Sequence, residues 1–418
     1  MDVSLYICGM YIHRQSFILK VKGCFYLFNS MKRLCILILL LLCSFSAVYS
    51  QVRISVVVSD EKGAPIPYAT VYNNSTNSGA ITNDEGRFEM NTQPSDVIVI
   101  RCLGYQEFQS VAEQLQKDDT IILKEAIFNI EEVVVTPNSN DAKSIIKKFR
   151  FRIPSNYKRQ PAQVSGVYKE YSLIENEYSA FFQCDMDILI NSIASYRGPF
   201  KTKVDNYKSF IQSDSKIIWW ELMSESNYRL LGLSIYSFLW NFKNYQYRNM
   251  GYITYNKSKL IKVSCYPTHI NKSLEQYEGT MYFDMKTYAL VFLHFEMLPN
   301  EVDYLLSEKG IWQKTSKQEI KIMFEFKDGY YYPAYVIRKI TGLAEIFDGN
   351  ANPDHVNADK VDIVFNFFTK NIEYNPSIFI EDGFSVSQLR SKRVLNQSNY
   401  KSNFILETEQ EKQLLKKE

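Results

Sequence analysis

Apolar and polar positions alternate along most of the chain after residue 51, and short groups of glycine, asparagine and aspartate interrupt the alternation. Val52-Arg53-Ile54-Ser55-Val56-Val57-Val58 is the first such run. It stops at Asp60-Glu61-Lys62-Gly63, which predicts a strand and a glycine-bearing turn. Ile66–Tyr72, Arg87–Met90, Val97–Cys102, Gln106–Val111 and Thr120–Lys124 repeat the pattern. Between them lie the Asn73–Ser78 loop, Gly79, the turn Asn83-Asp84-Glu85-Gly86 and the bend Leu103-Gly104-Tyr105. About six or seven short strands at such close spacing predict a β-sandwich over residues 51–137.

The period then changes. Asn138–Asp141 supplies helix-capping residues, and Ala142, Ile145, Ile146 and Phe149 share one helical face, predicting a helix near 141–152 that Pro154 ends. Val164–Ser172 and Tyr178–Leu189 read as antiparallel strands joined near Glu175-Asn176. Residues 207–250, with Trp219-Trp220, Leu230-Leu231-Gly232-Leu233 and Tyr236–Trp240, are longer apolar runs compatible with helix. They serve either as core packing or as a flap over a sheet. Strands return from Gly251. Tyr277–Phe283 pairs with Ala289–Glu296 across Asp284–Thr287, Glu319–Phe326 pairs with Tyr330–Ile340 across Lys327-Asp328-Gly329, and Leu260–Tyr266 and Val361–Phe368 add two more. The expected fold class is mainly β. An N-terminal sandwich precedes an antiparallel β-meander or half-barrel over 138–418, with a few helices against one face.

Composition agrees with this. The 418 residues suffice for two or three domains, and 30 tyrosines and 27 phenylalanines favour β-rich packing over disorder. Near the N-terminus, Met31-Lys32-Arg33, the apolar run Leu34–Cys43 and the small residues before Gln51 form a signal-peptide pattern, with cleavage expected between Ser50 and Gln51. The alternative is a membrane anchor, but the run is short against the about 20 apolar residues a span needs. Leu42 before Cys43 fits a lipid-attachment site poorly. Residues 1–30 precede this signal, so translation is expected to start at Met31, with 1–30 an upstream extension. Removing residues 1–50 takes away five basic residues (Arg14, Lys20, Lys22, Lys32, Arg33) and one acid (Asp2), so the formal charge falls from +2 to −2. Neither value points to nucleic acid as a partner. Cys102, Cys184 and Cys265 remain, too few and too far apart for a disulfide framework or a zinc site, and buried free thiols are expected.

Asp60, Gly63, Pro65-Ile66-Pro67, Ala69-Thr70-Val71, Gly79, Thr82-Asn83, Gly86, Phe88 and Leu103-Gly104-Tyr105 together resemble the signature of the carboxypeptidase-regulatory-like domain. The resemblance implies a seven-stranded transthyretin-like sandwich of the Gram-negative envelope. It also links the module to the N-terminal extension of TonB-dependent nutrient transporters, whose closing strand Ile130–Pro137 resembles. Asn83 stands where that pattern usually has aspartate. Tyr168-Lys169-Glu170, Gly279–Asp284 and Asn399-Tyr400 with Phe404 are similar to positions in a set of envelope proteins that carry this domain. The meander is similar in pattern to the lipoprotein-carrier half-barrels, a fold-level analogy without functional weight.

In zinc carboxypeptidases such a sandwich is an accessory, and the metal needs His-x-x-Glu with a distant histidine. His269, His294 and His355 supply no such spacing. No serine-hydrolase elbow, phosphate-binding loop, dinucleotide fingerprint or His-Glu-x-x-His occurs either. Asp185 with Asp187, and His294 with Glu296, share strand faces and are more simply read as surface and core-satisfied groups. Asp60, Asp84 and Glu85 could meet at one end of the sandwich around calcium, though turn acids usually bind their own backbone. No catalytic, cofactor or metal residue is therefore expected. The expected function is that of a non-enzymatic, exported cell-envelope protein, periplasmic or at the outer membrane, binding a partner protein or apolar ligand. A structural or adhesive surface protein, or a hydrolase of unrecognised type, are the alternatives.

Overall fold

The computed structural model describes residues 51–76, 78–115, 119–126, 139–194, 201–211, 230–233, 239–307, 310–347, 349, 355, 357–377, 400, 402 and 404–416. The signal-peptide segment, the closing strand Ile130–Pro137 and Trp219-Trp220 lie outside these residues.

Seven strands build the N-terminal module: β1 (Val52–Asp60), β2 (Thr70–Asn73), β3 (Ser78–Ile81), β4 (Arg87–Thr92), β5 (Val97–Arg101), β6 (Phe108–Val111) and β7 (Asp119–Leu123). They form a three-stranded sheet, β4-β1-β7, and a four-stranded sheet, β3-β2-β5-β6. Alternation turns Ile54, Val56 and Val58 of the first sheet towards Val71, Ile98 and Ile100 of the second, and all six are fully buried. The Asn83–Gly86 turn is fixed by the Asn83 side chain, whose Oδ1 accepts the backbone N–H of Glu85 at 3.0 Å and of Arg87 at 2.9 Å. Gly86 has φ +72°, and a Cβ there would lie 2.4 Å from the Val58 carbonyl oxygen, so no other residue fits.

The second unit opens with α1 (Ser139–Asn156), followed by β8 (Ala162–Ile174), β9 (Glu177–Ile190), β10 (Lys201–Ile211), β11 (Tyr245–Tyr255), β12 (Ser258–Pro267), β13 (Tyr277–Asp284), β14 (Leu290–Met297), β15 (Leu305–Leu306), β16 (Ile311–Lys327), β17 (Tyr330–Ile346) and β18 (Asp359–Tyr374). The short helix α2 (Glu409–Leu414) follows. The strands form one antiparallel sheet in the order β10-β9-β8-β18-β17-β16-β14-β13-β12-β11, with β15 beside β16. The expected meander is thus present from β11 to β18, and β8–β10 extend it beyond β18. Both sheet edges are irregular: β10 shifts register between Val204 and Tyr207, and β11 between Asn249 and Tyr252. Such breaks discourage pairing with further strands.

Two expectations are corrected. The helix continues to Asn156, past Pro154. A proline so near the end removes one backbone donor without ending the turn, and the Tyr157 N–H still reaches the Ile153 carbonyl at 2.9 Å. The stretch 207–250 is not helical at its ends, because Tyr207–Ile211 belongs to β10 and Tyr245–Met250 to β11. Short aromatic-rich runs carry too little periodicity to separate the two states. Leu230, Leu231, Leu233 and Leu239 are buried in the main core, in keeping with the packing reading. Cys102, Cys184 and Cys265 are free.

Register divides the sheet into two faces. On one, α1 buries Ala142, Ile145, Ile146 and Phe149, and Phe149 and Tyr157 pack on Phe283, Phe324 and Tyr331 with ring centroids 5.4–6.3 Å apart. The Tyr157 hydroxyl donates to the Leu290 carbonyl at 2.8 Å, satisfying the one polar atom it buries. The opposite face carries Tyr335 and Phe368, and there the sandwich contributes Tyr68, 5.9 Å from Phe368 between ring centroids.

Candidate functional site

The sandwich-side face holds a row of buried polar side chains. Asn366 of β18 is registered with Lys169 of β8, Lys169 with Gln183 of β9, and Gln183 with Lys208 of β10. Asn366, Lys169 and Gln183 are fully buried and Lys208 nearly so. A buried ammonium is tolerated only when paired. Its partner comes from the C-terminal segment: Glu411 Oε1 lies 2.7 Å from Lys169 Nζ, and Asp84 Oδ2 from the sandwich turn lies 3.7 Å away.

Local chemistry aims Glu411. Thr408 caps α2, its Oγ1 accepting the Glu411 N–H at 3.2 Å while Glu411 Oε2 accepts the Thr408 N–H at 2.9 Å. The Tyr178 hydroxyl donates to Glu411 Oε1 at 3.3 Å, Tyr68 donates to Asp84, and Lys208 pairs with Glu407. Backbone contacts complete the junction. The Ile81 N–H donates to the Phe404 carbonyl at 2.9 Å, and the Glu409 N–H to Glu85 Oε1 at 3.0 Å. Burial alone would lower the affinity of Lys169 for its proton; Glu411 and Asp84 outweigh it, so the group is held above its ordinary range. Burial first, then Asp84, pushes the Tyr68 phenol well up, so it remains a donor. One clasp of opposite charges therefore binds the sandwich, the sheet and the C-terminal segment.

The family-signature residues serve the module's frame. Thr82 Oγ1 donates to the Ile66 carbonyl and accepts the Ala69 N–H, both at 2.8 Å, and Ala69 and Phe88 are fully buried. Gly63 and Gly104 take positive φ in turns, and Pro65 and Tyr105 make bridges to Ser59 and Glu125. Gly79 sits beside Val71 and Phe404. Asn83, where the pattern favours aspartate, uses its amide to donate to the Glu407 carbonyl at 3.3 Å, which a carboxylate could not do. The three acids considered for calcium point apart: Asp60 Oδ1 accepts the N–H groups of Lys62 and Ala64, Asp84 faces Lys169, and Glu85 receives Glu409. Asp185 is held by Lys370 at 2.6 Å and Tyr400 at 2.9 Å, a structural tie instead of half of an acid pair.

His294 and Glu296 do share a strand face, and β16 brings a residue their spacing could not reveal. His294 Nε2 lies 2.8 Å from Glu319 Oε1 and 3.5 Å from Glu296 Oε1, and Lys321 Nζ lies 2.6 Å from Glu319 Oε1. The hydrogen bond from His294, aided by Lys321, outweighs burial and draws the Glu319 carboxyl down to about 2. A depressed carboxylate contributes stability that is complete above its ordinary value of 4.5 and is lost as pH falls towards 2. Carboxyl-carbon NMR should therefore find Glu319 titrating near 2, and His294→Gln should move that midpoint upward.

A cleft of about 380 Å³ opens between the sandwich and the β11–β12 hairpin tip, lined by Arg101, Cys102, Tyr105, Tyr255 and Lys257 among others. Arg101 is paired with Glu107 at 2.6 Å. Burial pushes the Cys102 thiol up to about 12, so it is no thiolate nucleophile at neutral pH.

Comparison with known proteins places the first module. Residues 55–135 match the CarboxypepD_reg-like domain. That domain accounts for β1–β7, and the β-rich unit fused behind it lies outside the match. The TonB-dependent receptor SusC of Bacteroides thetaiotaomicron is 35% identical over 88 residues, which cover 20% of this chain and 9% of the receptor. The chain thus aligns with a small fraction of that relative's length. Among solved structures, a LolA superfamily protein from Nitrosomonas europaea (11% identity, 58% of this chain and 98% of that one, TM-score 0.23) resembles the chain. So does a DUF1329 family protein from Desulfovibrio piger (10% identity, 57% and 95%, TM-score 0.26). At these scores the likeness carries no functional argument.

Proposed function

We propose that this is an exported protein of the cell envelope that acts by binding a partner protein and catalyses no reaction. Export is supported by the signal-peptide pattern before Gln51 and by the likeness of the first module to a segment of a TonB-dependent receptor. The observation that favours a protein partner over a carried apolar ligand is the packing of α1 on the sheet. Phe149 and Tyr157 are fully buried against Phe283, Phe324 and Tyr331, occupying the face a lipid would need. The cleft beside Arg101 and Lys257 is the partner's point of contact in this reading: it is open, part polar, and shared by both modules.

A photo-crosslinking amino acid at position 257 tests this in intact cells. One reproducible protein adduct, lost when Arg101→Glu is added and absent with the crosslinker at the exposed Glu61, is the expected result. Stoichiometric lipid copurifying with the protein, and no adduct, would overturn the reading.

A further inference from the structure

The group His294, Glu296 and Glu319 stands apart from the clasp and the cleft, and an ordinary ion pair does not account for it. On the sheet face Glu278 of β13 is registered opposite Glu296 of β14, and Glu296 opposite Glu319 of β16. Three carboxylates therefore run across adjacent strands, an arrangement in which directly opposed like charges destabilise the pairing. Lys321 offsets one of them by reaching Glu319 at 2.6 Å. Among the described residues the contact of Glu296 within ion-pair range is His294 Nε2, at 3.5 Å. Lys339 of β17 is registered opposite Glu319 on its other side, so three carboxylates meet two lysines in this row and a net negative charge remains beside the imidazole.

We propose that His294, Glu296 and Glu319 bind a single divalent transition-metal cation, of the zinc or manganese class. One imidazole and two carboxylates are the donor set that borderline and hard divalent ions accept. One atom from each of the three residues lies within 4.8 Å of the others, so rotamer adjustments bring them to the ligand spacing of about 3–4 Å that metal–ligand bonds of about 2.0–2.2 Å require. His294 Nε2 and Glu319 Oε1, now 2.8 Å apart, must separate slightly as the ion replaces the shared proton. The Glu319 oxygen the ion would take is the one now shared by His294 and Lys321, so Lys321 competes with the ion for it. All three residues stand on paired strands of one sheet, which holds their spacing better than loops would. The side chain of Glu296 is 48% exposed and that of His294 32%, leaving an entry path and a fourth position for water.

Titrating untagged, metal-stripped full-length protein with Zn²⁺ and with Mn²⁺ against a chromophoric chelator tests the site. One equivalent should bind at micromolar or lower free metal, raising the thermal unfolding midpoint. His294→Asn and Glu296→Gln should each weaken binding at least tenfold, and the exposed His269→Gln should not. Glu296→Gln should keep the wild-type circular dichroism and metal-free unfolding midpoint within a few degrees, because its side chain is half exposed; His294→Asn also loses the hydrogen bond to Glu319 and should keep the circular dichroism with a modestly lower midpoint. Loss of binding that coincides with loss of fold is separated by Lys321→Ala, which removes a competing cation and should hold or strengthen affinity. Failure of the wild-type protein to bind an equivalent, or equal binding by the His294→Asn/Glu296→Gln double variant, would overturn the proposal.

Discussion

Replacing Lys169 by methionine is expected to cost the folded protein about 3–5 kcal/mol, because it leaves Glu411 buried without its counter-charge. Urea denaturation reads the loss as a lower midpoint at unchanged slope. The double variant Lys169→Met/Glu411→Leu should recover most of it, since a buried ion pair replaced on both sides by apolar groups of similar size is often neutral in stability. If the double variant were as unstable as Lys169→Met, the clasp would owe its strength to the capping box of α2 or to Asp84 instead of to the pair. The pH dependence has a definite sign. The proton affinity of Lys169 is raised above the ordinary 10.5, so its contribution is complete below that value and fades only as pH rises through the higher folded value. At neutral pH Lys169 carries its charge, whereas burial draws the neighbouring Lys208 down to about 8. Since Lys169 also faces Asp84, the variant should loosen the sandwich from the sheet, read as faster hydrogen exchange of the Ile81 amide that donates to Phe404.

Phe149→Ala should be comparably damaging, at about 3–5 kcal/mol, for a different reason. The ring is fully buried between Tyr157 and Phe283, with centroids 6.3 Å and 5.4 Å away, so truncation leaves a cavity in the seam between α1 and the sheet. Phe151, two residues on and 82% exposed, supplies the control: Phe151→Ala should change stability by no more than about 0.5 kcal/mol. Thermal unfolding of the two variants side by side checks the contrast. Equal effects would mean that α1 is not seated as described. The cavity left by Phe149→Ala also bears on function, because it reopens space on the face that α1 fills. Lipid retained by that variant and absent from the wild type would show that helix packing is what excludes an apolar ligand.

These side chains differ in how far they can be read from the chain. Phe149 was legible: with Ala142, Ile145 and Ile146 it draws a helical face, and that face is the one α1 buries. Six of the sandwich's seven strands were legible too, because alternation with period two is closed at each end by turn residues such as Asn83 and Gly86, whereas β3 is too short and glycine-bearing to show the period. The motif Tyr168-Lys169-Glu170 was visible as a strand but not as an electrostatic device. Successive strand residues face opposite ways, so Tyr168 and Glu170 meet each other on the helix side while Lys169 enters the clasp. Glu411 stands 242 positions along the chain from Lys169, in a charged stretch where nothing local marks one acid as a buried partner.

His294 and Glu296 follow the same division. Their i, i+2 spacing places both on one strand face, and that much follows from the strand period. Glu319 joins them because β14 pairs with β16 in one particular register, with Glu296 opposite Glu319; a slip of one residue would turn its side chain to the helix face. Local pattern by itself determined the sandwich, the first helix, the strand-rich second unit and the cysteines' freedom from any framework, since each depends on periodicity, turn chemistry or spacing among near neighbours. Tertiary structure alone decided which acid meets Lys169, which carboxylate completes the His294 group and which face of the sheet α1 covers. Those depend on strand register and on the packing of the C-terminal segment, contacts between residues that no short-range pattern links.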